Sequence, residues 1–143
     1  MPDFRPLSDS VLASPQISIE DVANAKNAGV ALIINNRPDG EDPSAPQSAD
    51  IEAAATAAGL AYTAIPVGHS GFSEVQVDQM IAALNSAQGK TLAYCRSGTR
   101  STLLWALAQA KNGISPEEIA LAAMKAGYDV SPVRPMLDML SSK

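Results

Sequence analysis

The chain has 143 residues, of which 46% are hydrophobic, so residues 1–143 suit a single globular domain with one core. Its formal net charge of −5 argues against nucleic acid or an anionic membrane as the main partner. One cysteine excludes an internal disulfide, and we recognise neither a signal peptide nor an apolar run of membrane-spanning length. We therefore expect a soluble, cytoplasmic protein.

Strand and helix patterns alternate in the first third of the chain. Residues 11–16 form a short strand pattern, and Ser18 is suited to cap a helix over residues 19–27. The continuous apolar run 30–35 is typical of a central strand that is covered on both faces. Residues 36–47 follow as a loop with three prolines, which is too polar and too broken for a regular element.

The same alternation continues through the rest of the chain. The predicted elements are a helix over 49–58, a strand over 60–67, a helix after Ser73, a strand over 91–94, and helices over 101–110, 116–126 and 132–140. This βαβαβαβ order followed by helices predicts an α/β domain with a mostly parallel central sheet flanked by helices.

The cysteine lies between a strand pattern and a helix pattern. Cys95 follows the apolar run 91–94 and begins the segment Cys-Arg-Ser-Gly-Thr-Arg, residues 95–100, called the cysteine loop below. A polar turn that leads from a strand into a helix leaves backbone N–H groups able to bind an anion. The helix dipole, with Arg96 and Arg100, favours the thiolate form of the cysteine. We therefore predict a nucleophile in an anion-binding loop, at the carboxyl end of a central strand.

Two reactions suit such a thiolate. Attack on phosphorus gives a phosphocysteine that water hydrolyses, whereas attack on the outer sulfur of a thiosulfate-like donor gives a persulfide. In both reactions the N–H groups of the loop would hold the anion and stabilise the developing charge. A third interpretation is a non-catalytic module that binds anions or relays sulfur.

The loop also resembles two known kinds of active site. Residues 94–101, Tyr-Cys-Arg-Ser-Gly-Thr-Arg-Ser, resemble the loop of single-domain rhodaneses. Protein tyrosine and dual-specificity phosphatases have Cys-x5-Arg-Ser/Thr, and the Cys-x4-Arg spacing here is one residue shorter. A shorter loop makes a narrower ring, which fits a sulfur atom better than a phosphoryl group. Those phosphatases also need an Asp as leaving-group acid, and the segment 67–72 has no carboxylate.

The segments before the loop resemble a phosphatase fold instead. Ser-Pro-Gln at 14–16, Ile-Ile-Asn-Asn-Arg-Pro-Asp-Gly-Glu at 33–41 and Ile-Pro-Val at 65–67 stand beside the loop and the Leu-Trp pair at 104–105. Together they are similar to the phosphatase-like domain of β-lactamase hydrolase-like proteins, over roughly residues 5–112. The resemblance implies a dual-specificity-phosphatase-like fold. It also implies a partner, since such domains can be fused to a metallo-β-lactamase-type domain that resembles persulfide dioxygenases.

The candidate site residues fall into three groups: catalytic, anion-binding and accessory. Cys95 is the expected nucleophile, and the resemblance makes Arg100 the clamp for the anion. The other candidates for binding the anion are Arg96, Ser97, Gly98, Thr99 and Ser101, of which the last could hydrogen-bond the thiolate or cap the helix. His69, Asp39 and Arg37 are accessory candidates, and Asp39 is the only reasonable substitute acid for a phosphatase. We expect no cofactor and no metal, because one Cys and one His cannot form a structural zinc site.

The sequence therefore favours a sulfurtransferase that moves sulfane sulfur through a Cys95 persulfide. The substrate would be a small anion, such as thiosulfate, a persulfide or a phosphate ester. With one cysteine, the sulfur acceptor must be an external thiol such as glutathione. The alternatives are a cysteine-dependent phosphatase and the non-catalytic module.

Overall fold

A five-stranded sheet lies at the centre of the computed structural model, which describes residues 2–68 and 70–142. The strands are β1 (Arg5–Pro6), β2 (Val11–Ser14), β3 (Val30–Asn35), β4 (Ala61–Ala64) and β5 (Lys90–Tyr94). Their spatial order is β1-β2-β5-β3-β4, with β1 antiparallel to its neighbour and the other pairs parallel. The mostly parallel sheet predicted from the sequence is confirmed, and β5 is its central strand.

In the described part of the chain, six α-helices connect and follow these strands. They are α1 (Ile19–Asn27), α2 (Ser48–Ala58), α3 (Glu74–Ser86), α4 (Thr99–Lys111), α5 (Pro116–Lys125) and α6 (Arg134–Ser141), with a 3-10 turn at Ser131–Val133 before the last. Local capping explains where several of them begin. The side chains of Ser18, Ser73 and Ser115 each accept a hydrogen bond from an N–H of the first helical turn.

The alternation of side chains along the strands gives the sheet two buried faces. Leu12, Ile33 and Leu92 pack with helices α1 and α2 on one face. Their neighbours Ala13 and Ile34 pack with the four helices α3 to α6 on the other face. Helices therefore cover both sides of the sheet, as the continuous apolar run in β3 predicted.

The structure differs from the prediction mainly at the edges of elements. Strand β1 was not predicted, since two residues carry no periodic signal. The predicted strand 60–67 is regular only over Ala61–Ala64, although the N–H groups of Ile65 and Val67 continue the pairing by donating to Asn35 O and Asn36 O, both at 2.9 Å. Helix α4 begins at Thr99, two residues before the predicted start. No helix within the described residues is long and apolar enough to span a bilayer.

Candidate active site

The cysteine loop begins where the central strand ends. The N–H of Cys95 donates to Ser14 O of β2 at 3.3 Å, so the loop starts as a continuation of the sheet. On the other side, the N–H of Asn36 donates to Tyr94 O at 2.8 Å. Two flanking strands therefore hold the position of the cysteine, at the carboxyl edge of the sheet where open α/β folds bind ligands.

The sulfur of Cys95 lies at the amino end of helix α4. The side chain is fully buried, and the N–H of Gly98 donates to Sγ at 3.2 Å. Gly98 is the N-cap of α4, and its carbonyl oxygen accepts from both the N–H and the hydroxyl of Thr102. The positive end of the helix dipole and the N–H of Gly98 are therefore both directed at the sulfur.

A glycine is required at position 98 for two reasons. Its φ of +92° lies in the left-handed region. A Cβ there would also collide with the hydroxyl and ring of Tyr128. That hydroxyl donates to Ser97 O at 3.1 Å, so Tyr128 holds the peptide that carries the N–H of Gly98. The guanidinium carbon of Arg5 lies 5.0 Å from the centre of the tyrosine ring. Sequence analysis missed Tyr128, because no local pattern links it to the loop.

The guanidinium group of Arg100 is held at one end and open at the other. Nη1 and Nη2 donate to the two carboxylate oxygens of Glu41, at 2.6 and 2.8 Å, and Nη1 also donates to Val67 O at 2.7 Å. These bonds leave the Nε–H and one Nη2–H, which lie along one edge of the guanidinium, and Cys95 is the described side chain within their reach. Two parallel N–H groups match two oxygens of a phosphoryl or sulfonate group.

Glu41 links Arg100 to a second arginine. Its Oε1 also accepts from Nε of Arg37 at 2.9 Å, and Nη1 of Arg37 donates to Gln16 Oε1 at 3.0 Å. The hydrogen bonds from Arg100, and then those from Arg37, lower the pKa of Glu41 to about 2 against the opposing effect of burial. Glu41 is therefore ionised near neutral pH, where it orients Arg100 and has no proton to donate.

A buried amide connects α4 to the strand ends. Asn36 is fully buried, and its Nδ2 donates to Ile65 O at 2.9 Å. The hydroxyl of Ser101 donates to Asn36 Oδ1 at 2.7 Å, so its proton is directed to the amide and not to Cys95. The first residue of α4 is Thr99 and its N-cap is Gly98, so Ser101 does not cap the helix. Sequence analysis missed Asn36, although a buried Asn directly after a strand is a signal that could have identified it.

The remaining loop residues border an open cleft. Among the described residues, this arginine cleft of about 450 Å³ is lined by Arg37, Glu41, Arg96, Ser97, Thr99 and Arg100. The side chains of positions 96, 97 and 99 are exposed, and the hydroxyl of Ser97 donates to that of Thr99 at 3.0 Å. The structure therefore brings the predicted anion-binding residues to one opening, apart from Gly98 and Ser101, which are buried beneath it.

The accessory candidates have different positions. Arg37 lies at the cleft, whereas Asp39 is exposed and its Oδ1 accepts from the N–H of Ser48 at 2.8 Å, at the start of α2. Asp39 is not among the described residues that line the cleft. His69 lies outside the described residues, and its accessory role stays a prediction. The role of Asp39 as a substitute acid also stays a prediction. Within the described residues, no group of three His, Cys, Asp or Glu side chains could hold a metal.

Comparison with known proteins identifies relatives over most of the chain. A family model described as the phosphatase-like domain of β-lactamase hydrolase-like protein matches residues 3–112. A β-lactamase hydrolase-like protein from Xylella fastidiosa is 32% identical over 125 residues, which cover 87% of this chain and 29% of that protein. Its counterpart from Agrobacterium fabrum is 30% identical over 137 residues, or 95% of this chain and 32% of that protein. The chain thus spans about a third of the length of these relatives.

The solved structures that resemble this chain include candidate phosphatases. The crystal structure of a candidate phosphatase from Neisseria meningitidis is 31% identical, with a TM-score of 0.86 over 98% of this chain and 99% of that one. Human DUSP28 is 18% identical, with a TM-score of 0.68 over 99% of this chain and 95% of that one, which shows the fold alone. The dual-specificity-phosphatase-like fold expected from the sequence is confirmed. These comparisons favour the phosphatase alternative over sulfur transfer.

Proposed function

Because this chain belongs to the family of phosphatase-like domains of β-lactamase hydrolase-like proteins, we propose that it is a cysteine-dependent phosphatase. Its substrate is a phosphomonoester or another small molecule with a terminal phosphoryl group. The nucleophile is Cys95, and Arg100 is the residue that clamps the phosphoryl oxygens. The proposal concerns this domain alone, because the segment that matches this chain is about a third of each relative's length.

One observation carries the proposal: a nucleophile and an anion clamp are both oriented before any substrate binds. The Cys95 sulfur accepts a hydrogen bond from the N–H of Gly98 at 3.2 Å. Nη1 and Nη2 of Arg100 each donate a hydrogen bond to the carboxylate of Glu41, which fixes the orientation of the guanidinium. Hydrogen bonds with Glu41 raise the pKa of Arg100 most, and the neighbouring Cys95 side chain raises it further. Groups that are already oriented stabilise a transition state without a cost of reorganisation.

The reaction takes place in two displacements at phosphorus. The Cys95 thiolate attacks the phosphoryl group, an S–P bond forms, and the bond to the leaving oxygen breaks with its electron pair on that oxygen. The open edge of Arg100 and the N–H groups of the loop bind the phosphoryl oxygens. Water then attacks phosphorus, the S–P bond breaks, and thiolate and inorganic phosphate are released, with the proton of water passing to solvent.

Intact mass of the protein tests this proposal directly. After a brief reaction with p-nitrophenyl phosphate and an acid quench, we expect the wild type to gain one phosphoryl group. Cys95→Ala is expected to abolish both that adduct and the release of phosphate. Phosphate release that persists in Cys95→Ala, or that is absent from the wild type, would contradict the proposal.

Sulfur transfer is the second candidate, and a specific observation favours it. Among the described residues that line the arginine cleft, the one carboxyl group is that of Glu41, which is ionised, and Asp39 is not part of that lining. Attack of the Cys95 thiolate on the outer sulfur of thiosulfate forms a persulfide and expels sulfite, which needs no acid. An external thiolate such as that of glutathione then takes the outer sulfur and restores Cys95.

The same mass measurement separates the candidates. A gain of one sulfur atom after incubation with thiosulfate, lost in Cys95→Ala, would establish sulfur transfer. Binding of sulfate or phosphate without any adduct would instead support the non-catalytic module. The expected partner, a metallo-β-lactamase-type domain that resembles persulfide dioxygenases, and the cytoplasmic location stay predictions.

A further inference from the structure

One of the three arginines that line the arginine cleft forms no ion pair with a described residue. Arg37 and Arg100 both pair with Glu41. The third arginine, Arg96, is exposed and its side chain has no hydrogen bond or ion pair with any described residue. Three arginines and one glutamate give the described cleft lining a net charge of +2, in a chain whose net charge is −5. A local excess of positive charge on an acidic protein attracts anions to this opening.

The position of Arg96 is set by the backbone and not by its side chain. Its carbonyl oxygen accepts from the N–H of Gln16 at 3.2 Å, which extends the pairing of β2 and β5 into the loop. The guanidinium group is therefore tethered one residue from the nucleophile but remains free to rotate toward solvent. Asp42 lies on the same side: hydrogen bonds from Ser44 lower its pKa most, and the charges of Arg37 and Arg96 add smaller effects.

The carboxyl group in the described lining of the arginine cleft does not serve as a proton donor for a leaving group. The carboxyl group in the cleft belongs to Glu41, whose pKa of about 2 keeps it ionised. Without an acid, an alcohol must depart as a high-energy alkoxide, which is slow. A leaving group that is already a stable anion needs no proton, and it gains from a nearby cation.

These two observations lead to one inference, which rests on the proposed function. We propose that the substrate of this site has a leaving group that already carries negative charge before its bond breaks, and that Arg96 binds that group as it departs. For the phosphatase this substrate class is a phosphoanhydride, a terminal phosphoryl group joined to a second phosphate. Thiosulfate has the same chemistry for sulfur transfer, since its leaving group is sulfite.

The phosphoanhydride step balances with the groups already described. The Cys95 thiolate attacks the terminal phosphorus, and the bond to the bridging oxygen breaks with its electron pair on that oxygen. The departing phosphate carries the charge, and Arg96 donates hydrogen bonds to it. Water then hydrolyses the phosphocysteine, so no oxidant, reductant or metal enters the balance.

The test compares two substrates across matched variants. For the wild type, Arg96→Gln, Arg96→Lys and Arg134→Gln, kcat/KM is measured with inorganic diphosphate and with p-nitrophenyl phosphate. Arg134 is a control with the same change of charge, because it lies on α6 and pairs with Glu117 and Asp138. We expect Arg96→Gln to lower the diphosphate to aryl phosphate ratio by about tenfold or more, since a charge-assisted hydrogen bond is lost. Arg96→Lys should retain most of the ratio, and Arg134→Gln all of it.

A third substrate distinguishes sulfite from phosphate as the anionic leaving group. Thiosulfate with glutathione as acceptor is assayed on the same variants, and a similar loss in Arg96→Gln would support the proposal through sulfite. An equal loss for diphosphate and aryl phosphate in Arg96→Gln would overturn it, because Arg96 would then act on the transferred group or on all anions alike. A wild type that uses neither diphosphate nor thiosulfate would overturn the proposal as well. If Cys95-dependent cleavage of p-nitrophenyl phosphate persisted in that case, the proposed phosphatase function would still stand.

Discussion

Gly98 shows how closely the shape of the cysteine loop depends on one residue. Its backbone is left-handed, and its Cα faces the Tyr128 ring at a distance that excludes a side chain. Its N–H is the donor that reaches the Cys95 sulfur. A larger residue would therefore move the donor away from the nucleophile as it relieved the clash.

For Gly98→Ala we expect a loss of about 3 kcal/mol in the free energy of unfolding, from a strained φ and a clash together. The kcat/KM should fall by about a hundredfold, since the oriented N–H is displaced. Gly113→Ala is the matched control, because Gly113 has a φ of +95° but open space where a Cβ would lie. It should cost about 1 kcal/mol and leave kcat/KM unchanged. Equal effects of the two substitutions would show that Tyr128 does not constrain the loop.

The Glu41 carboxylate is a positioning residue that acts through Arg100. In Glu41→Gln the amide keeps one acceptor but turns a donor toward the guanidinium, so the two-bond grip is lost. We expect kcat/KM to fall by about tenfold or more with any anionic substrate. Glu52→Gln on the exposed side of α2 removes the same charge and should leave kcat/KM unchanged.

The effect of Glu41→Gln on the free energy of unfolding should depend on pH. The pKa of Glu41 is lowered in the folded protein to about 2, so its stabilising effect is complete above its ordinary value of 4.5 and is lost as the pH falls toward 2. At pH 7 we expect Glu41→Gln to lower the free energy of unfolding by about 1–2 kcal/mol, a figure reduced by solvent screening of a partly exposed pair. Urea unfolding should show this difference shrink between pH 4.5 and pH 2. A difference that is constant over that range would contradict the lowered pKa.

At the scale of elements, the site is assembled where four of them meet. Strand β5 delivers Cys95, α4 delivers Arg100, the segment after β3 delivers Glu41, and the turn after α5 delivers Tyr128. The backbone N–H of Tyr128 donates to Ala123 O at 2.9 Å, which ties its position to the end of α5. The C-terminal helices therefore contribute to the geometry of the cysteine loop.

Tyr128→Phe tests that contribution without changing the packing of the ring. Loss of the bond to Ser97 O should cost about 1 kcal/mol and lower kcat/KM several-fold, because the peptide before Gly98 is held less firmly. Tyr94→Phe is the control, since the Tyr94 hydroxyl is buried with no hydrogen-bond partner in the described part of the chain. Its removal should be neutral or stabilising. A Tyr128→Phe variant with unaltered kcat/KM would show that the hydroxyl does not position the loop.

For the whole molecule, the core extends beyond the segment that matches the family model. That match ends at residue 112, yet Ile119 and Leu137 from α5 and α6 are as buried as Leu104 of α4 and pack in the same cluster. The helices after residue 112 therefore complete the cover of one face of the sheet, and we expect the fold to depend on them.

Leu137→Ala measures this dependence. Truncation of a fully buried leucine should lower the free energy of unfolding by about 2–4 kcal/mol. Met139→Ala, on the same helix but 53% exposed, should change it by less than about 0.5 kcal/mol. Urea denaturation of both variants is the measurement. A small effect of Leu137→Ala would mean that α6 unfolds separately from the rest.

Much of the architecture could be predicted because its signals are local. Strand β3 and helix α1 begin and end where the apolar run and the serine cap placed them, since burial on both faces and N-capping act within a few residues. Strand β1 was not predicted, and β4 is shorter than predicted, because the extent of each strand depends on the neighbour that pairs with it. The phosphatase-like fold followed from the resemblance and is confirmed.

The sequence by itself determined that a cysteine, the predicted nucleophile, directly follows a strand and that an arginine five residues later stands at the start of a helix, because both positions follow from one short segment. Only the tertiary structure decided what surrounds them. Glu41 meets Arg100 across 59 residues and Asn36 meets Ser101 across 65, because the sheet places β3 beside β5 although they are distant in the chain. Contacts of that kind depend on strand order, which composition and periodicity do not encode. They are also what orients Arg100 toward an anion and directs the Ser101 proton away from the sulfur.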